Sequence, residues 1–90
     1  MMMDENKALE TTEIDFVALL AGLVRPIVDN PDAVSVIGEE TESGLVLTLK
    51  VAEDDVGMII GKHGKIARAL RTVIKAAAKV SGKKVSVEIR

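Results

Sequence analysis

Residues 56–66 read VGMIIGKHGKI, and this stretch decides how the rest of the chain is read. Gly61 and Gly64 stand three apart between two segments of helical apolar spacing. That predicts two helices joined by a turn whose backbone, free of side-chain obstruction, lets a ligand approach closely. Gly64 and Lys65 open the second, strongly basic helix, where unpaired N–H groups and the helix dipole favour an anion. Lys62, Lys65 and Arg68 surround that position, and a phosphate is its natural occupant.

Known phosphate loops narrow the choice of compound. A Walker A loop needs Gly-x4-Gly-Lys-Ser/Thr, but Gly57 and Gly61 enclose only three residues, and His63 stands where the magnesium-binding hydroxyl belongs. The dinucleotide fingerprint Gly-x-Gly-x-x-Gly follows a strand, and neither its spacing nor that context is present. Nucleotide hydrolysis and dinucleotide binding are therefore disfavoured. His63, the sole histidine, has no nucleophile or acid partner nearby in sequence, which argues against catalysis.

Downstream, Ile66, Ala69, Leu70, Val73, Ala76, Ala77 and Val80 recur at about 100° per residue, predicting a long helix that buries this face. Lys65, Arg68, Arg71, Thr72, Lys75 and Lys79 occupy the opposite arc. Ser81-Gly82 predicts a glycine cap, and Val85, Val87 and Ile89 then alternate as a strand. Upstream, Glu53, Asp54 and Asp55 place negative charge before a short helix expected over 56–60 and ending at Gly61. Two strands precede it. Val34 and Val36 mark the first, residues 38–44 (GEETESG) form an acidic turn, and Leu45, Leu47, Leu49 and Val51 mark the second. Before these, a helix is expected over 13–29, opened by a capping box of Thr12 and Asp15 and kinked or shortened at Pro26. Residues 1–12 show no period and are expected to be a flexible tail, leaving 13–90 as the domain.

The element order is thus helix, strand, strand, helix, helix, strand. Three strands cannot bury both faces of a sheet. The long apolar helix faces must cover one side, giving a two-layer α+β domain with a three-stranded sheet. Ninety residues, 48% of them hydrophobic, support one modest core. The absence of cysteine excludes a disulfide framework and a thiolate metal site, and fits a reducing cytosol. The longest apolar run, nine residues from Phe16 to Val24, is too short to span a bilayer, so a soluble cytoplasmic protein without membrane contact is expected. The net charge of -2 conceals an asymmetry: residues 1–55 hold 3 basic and 13 acidic side chains, residues 56–90 hold 9 basic and 1 acidic. Such a split suggests a polyanion-facing surface in the second half.

With these features together, the chain resembles the KH domain family in its type II, bacterial form. Ile60-Gly61-Lys62-His63-Gly64 matches the family's hydrophobic-Gly-x-x-Gly core, and the flanking AEDD, KIARALRTVIKAAA and VDNPDAVSV segments extend the similarity over about residues 14–90. The resemblance implies single-stranded RNA binding without enzymatic activity or cofactor. Gly61, Lys62, His63 and Gly64 would clamp the backbone of about four nucleotides. Ile59, Ile60 and Ile66 are candidates for an apolar groove under the bases, although core packing is the commoner role for apolar residues at helical spacing. One departure concerns that groove: many KH domains carry Ile three residues after the second glycine, whereas here Ala67 holds that place and Ile66 precedes it. Phe16, the only aromatic, lies far from the loop in sequence, so stacking platforms are not expected. For Arg71, Lys75 and Lys79, a solvated helix face and RNA contact remain alternatives.

The resemblance also implies self-association or pairing with a larger KH-containing protein, and a role as a post-transcriptional regulator or RNA chaperone affecting growth and division. The competing reading is a KH-fold protein-interaction module with little RNA binding of its own, suggested by the acidic first half.

Overall fold

A computed structural model of the chain describes residues 14–90, and for Lys62 its backbone only. Helix α1 spans Phe16–Val24. Asp15 is its N-cap, accepting a hydrogen bond from the Ala18 N–H at 3.1 Å, where the capping box had cast it as the third helical residue. The capping role expected of Thr12, and the expected tail, lie outside the described residues. The helix also stops earlier than 29. Pro26 has no N–H to bond the Gly22 carbonyl, so the ladder closes with Arg25 donating to Ala21, and Ile27 tightens the exit by donating to Val24 at 2.9 Å.

A 3₁₀ turn, Pro31–Ala33, leads into strand β1, Ser35–Thr41, which pairs antiparallel with β2, Gly44–Lys50. The connection is therefore Glu42-Ser43, not the seven-residue acidic turn expected. Glu39 and Glu40 lie within β1, an exposed edge strand whose charged side chains discourage pairing with other chains. The Thr41 hydroxyl closes the hairpin, donating to the Gly44 carbonyl at 2.8 Å.

Helix α2, Glu53–Ser81, includes the GKHG segment. His63 (φ 63°) and Gly64 (φ 68°) are both left-handed, and two such residues in succession turn the axis, so α2 consists of two arms. The reversal thus sits at His63-Gly64, two residues beyond the expected stop at Gly61. The three acids 53–55 form the first turn of the first arm instead of preceding it. The second arm ends in a Schellman turn at Gly82, with Gly82 N–H to the Lys79 carbonyl at 3.2 Å and Lys83 N–H to that of Ala78 at 3.0 Å.

Strand β3, Val85–Ile89, then pairs parallel with β2, giving the sheet order β1-β2-β3. Both helices pack on one face, and the core lies between: Phe16, Leu20 and Val24 from α1, Leu47 and Leu49 from β2, Ile59, Leu70 and Ile74 from α2, and Val87 from β3. The architecture is the expected α+β arrangement with a half-covered three-stranded sheet.

The phase of the second arm differs from expectation. Ala67, Leu70, Ile74 and Ala78 are buried, while Ala69, Val73, Ala76 and Val80 face outward. The arm carries two apolar stripes, and the sheet takes the one that brings Ile74 beneath it.

Candidate nucleic-acid interface

The loop is held from both sides. At the start of the first arm, Asp55 is fully buried, and its carboxylate accepts three hydrogen bonds at 3.1 Å each, from the Asp29 N–H, the Asn30 N–H and the Asn30 side-chain amide. Burial alone would raise its pKa. The three donors outweigh burial and hold the carboxyl below its ordinary value. This latch ties the exit of α1 to the entry of α2, and Ile59, one turn further along, anchors the first arm in the core with no exposed surface. On the far side of the loop, the Arg68 guanidinium reaches back to donate to the His63 carbonyl.

Between these anchors the backbone is bare. A Cβ added at Gly61 or at Gly64 would meet nothing within 4 Å, and Gly61 has no positive φ. Among the described residues nothing crowds a side chain at 61, as is also true at Gly22 and Gly57. The exposed His63 sits in a left-handed conformation that costs an L-residue about 1–2 kcal/mol, a local strain of the kind found where backbone geometry serves a ligand. Lys65 and Arg68 are exposed beside it, in the residues that follow the left-handed pair.

Of the isoleucines considered for an apolar groove, Ile60 is 48% exposed and Ile66 half-buried, so both offer surface next to the loop. Ile59 does not. It is a core residue, because the Asp55 latch turns that face of the first arm inward. Ala67, at the departure from the family pattern, is likewise buried.

Sequence reasoning left Arg71, Lys75 and Lys79 undecided between solvent and ligand. The structure places them on the flank of the second arm that faces β3. Arg71 donates from Nε to the Val87 carbonyl at 3.4 Å, and a groove lined by Arg71, Lys75, Val85, Ser86 and Val87 runs between helix and strand. The spacing of Arg68, Arg71, Lys75 and Lys79 already traces one helical row. That the β3 edge, unpaired among the described residues, lies beside this row depends on the parallel placement of β3, which no local pattern encodes.

Comparison with known proteins agrees with this architecture. The KH-domain model described as KhpA/KhpB matches residues 17–89. The RNA-binding protein KhpA of Clostridium acetobutylicum is 51% identical over 71 residues, covering 79% of this chain and 95% of that protein. KhpA of Bacillus subtilis is 46% identical over 71 residues, covering 79% and 88%, and KhpA of Treponema pallidum is 46% identical over 71 residues, covering 79% and 89%. A crystal structure of Aquifex aeolicus Era shares the fold, with a TM-score of 0.53 at 21% identity over 87% of this chain but only 31% of its own length. With a family match over nearly the whole described region, the chain belongs to the KhpA/KhpB KH-domain family.

Proposed function

We propose that this protein binds single-stranded RNA without enzymatic activity, gripping the phosphodiester backbone at Gly61, Lys62, His63 and Gly64 with Lys65 and Arg68 alongside. One observation carries the reading. Gly61 has open space around it among the described residues, and it alone of the uncrowded glycines without positive φ stands beside the left-handed His63-Gly64 pair and its bordering cations. A ligand pressed against the main chain accounts for that combination. The names of the relatives, RNA-binding proteins KhpA, support RNA as that ligand. Ile60 and Ile66 then offer apolar surface to the bases. Contact with about four phosphates gives a salt slope of about -3, and so small a footprint binds weakly on its own.

Weak binding calls for a partner. Val73 is 42% and Val80 86% exposed on the outward stripe of the second arm, and with Ala69 they form an apolar flank away from the β3 side. That flank supports self-association or pairing with a larger KH-containing partner of the KhpB type. The residues 13–90 then act as one KH domain in the cytoplasm, in a regulatory or RNA-chaperone role that affects growth and division.

The test is fluorescence anisotropy with a labelled single-stranded RNA, comparing wild type with Lys62→Asp/His63→Asp. The variant is expected to lose affinity at least tenfold while keeping the wild-type circular dichroism melt. Unchanged affinity in the folded variant overturns the clamp and favours the protein-interaction reading.

A further inference from the structure

Residues 1–13, MMMDENKALETTE, carry four carboxylates, Asp4, Glu5, Glu10 and Glu13, against one lysine, Lys7. They precede residues 17–89, the stretch shared with the KhpA/KhpB family, so the family likeness does not account for them. Packing fixes the end of the fold at which they enter. A Cβ added at Gly38 would meet Val17 at 3.1 Å and Leu45 at 3.4 Å, which seats the first turn of α1 over the hairpin end of the sheet. Leu45 in turn donates its N–H to the Lys84 carbonyl at 2.9 Å. The other end of α1 leads to Asp29 and Asn30, which are tied to Asp55. Segment 1–13 therefore joins the domain beside the turn that follows α2.

That turn is cationic. Lys83 and Lys84 return beside Lys75 and Lys79, all four exposed, and no carboxylate is among the described residues around them. The ion pair found among the described residues joins Arg90 to Glu88, so it satisfies none of these lysines. Like charges gathered this way repel one another, and a carboxylate placed among them relieves the repulsion.

We propose that the acidic segment 1–13 folds back over Lys75, Lys79, Lys83 and Lys84 as an internal polyanion, which an RNA strand must displace. The displacement rests on the reading of the protein as RNA-binding; the docking does not. Extended, thirteen residues reach up to about 43 Å, more than enough to cross from α1 to the lysines. Glu13 and Glu10 stand closest to the helix start at Asp15, and Asp4 and Glu5 reach furthest. The GKHG loop is the more distant cationic target, because the helix rises about 21 Å from Lys79 back to Lys65. Each exposed carboxylate–ammonium pair is weak by itself. Tethering compensates, since a ligand on a short linker is present at about millimolar effective concentration. Contacts of this kind exchange readily and fade as salt screens them. The segment thus acts as a brake, excluding weak or short polyanions and yielding to a strand that makes more contacts.

The experiment is zero-length carbodiimide cross-linking of the full chain at about 50 mM salt, read by peptide mass spectrometry on an equal mixture of unlabelled and isotope-labelled protein. Cross-links from Asp4, Glu5, Glu10 or Glu13 to Lys75, Lys79, Lys83 or Lys84 are expected within single-isotope products, about threefold or more above those to Lys50 and Lys65, and lost at about 0.5 M salt. An even spread over all lysines overturns the docking. Mixed-isotope products place the segment on a second copy and overturn the internal contact. A companion titration with labelled single-stranded RNA compares wild type, Asp4→Asn/Glu5→Gln/Glu10→Gln/Glu13→Gln and, as a control for charge alone, Glu39→Gln/Glu40→Gln/Glu42→Gln. The segment variant is expected to bind about threefold more tightly at low salt, with the gain shrinking as salt rises. A gain no larger than the control's overturns the brake. If no form of the protein binds RNA, the functional reading falls, and the cross-links still decide the docking.

Discussion

Asp55 shows how one side chain can carry the placement of a whole site. Its carboxylate holds two separate segments together, and because its pKa is lowered in the fold, the sign of its pH dependence is set. The stability it contributes is fully present above the ordinary carboxyl value of 3.8 and is lost as pH falls through the lower folded value. Asp55→Asn leaves one acceptor oxygen and brings an N–H₂ group among three donors. Thermal melts should therefore show the variant well below wild type at pH 7, with the gap narrowing below about pH 4. A constant gap from pH 7 to pH 3 would contradict the latch. In the sequence this residue is indistinguishable from Glu53 and Asp54, since three consecutive acids at a helix start all satisfy the dipole. Only the return of Asp29-Asn30 across the fold singles one out.

Among the elements, the hairpin and the turn after α2 meet at a point of close approach. Gly44 has φ +122°, and a Cβ there would come within 2.4 Å of the Lys84 carbonyl oxygen, the same atom that accepts the Leu45 N–H at 2.9 Å. Gly44→Ala must displace main chain on two strands. It is expected to destabilise by about 2–3 kcal/mol in a denaturant titration, within the range for forced backbone strain. A loss under about 0.5 kcal/mol would mean that the two turns are not in contact. Such encounters are not legible locally. The period-two alternation of Leu45, Leu47 and Leu49 marked β2, and Val85, Val87 and Ile89 marked β3, because both strands bury one face. Glu39 and Glu40 concealed the length of β1, because an edge strand tolerates charge that composition assigns to a turn. In the second arm of α2, two apolar stripes share one period, so spacing showed a helix and not which stripe meets the sheet.

Taken as a whole, the molecule has distinct surfaces: a cationic flank toward the β3 edge, an apolar flank through Val73 and Val80, and acid concentrated in residues 1–55. The charge split at residue 55 made the polarity readable from sequence. The apolar flank was hidden, because its residues were the ones expected in the core. Val73→Asp/Val80→Asp removes apolar surface that the fold does not use. Its stability should lie within about 0.5 kcal/mol of wild type, and size-exclusion chromatography with light scattering should show a shift toward monomer. A melting temperature that collapses would return these valines to the core, and an unchanged mass would move the self-association surface elsewhere.

The parallel pairing of β2 with β3 has a kinetic consequence. Leu45 and Val85 become neighbours only after a 40-residue connection closes, at an entropic cost of about 3 kcal/mol. That connection is α2, so the GKHG turn lies in the middle of the segment that must be drawn back. Until β3 docks, the second arm has no strand to lie against. During synthesis, β3 is the last of the described strands to leave the ribosome, so a nascent chain has its glycine loop well before it has the groove beside it. The surface proposed to hold RNA is then completed in one late step, with the sheet.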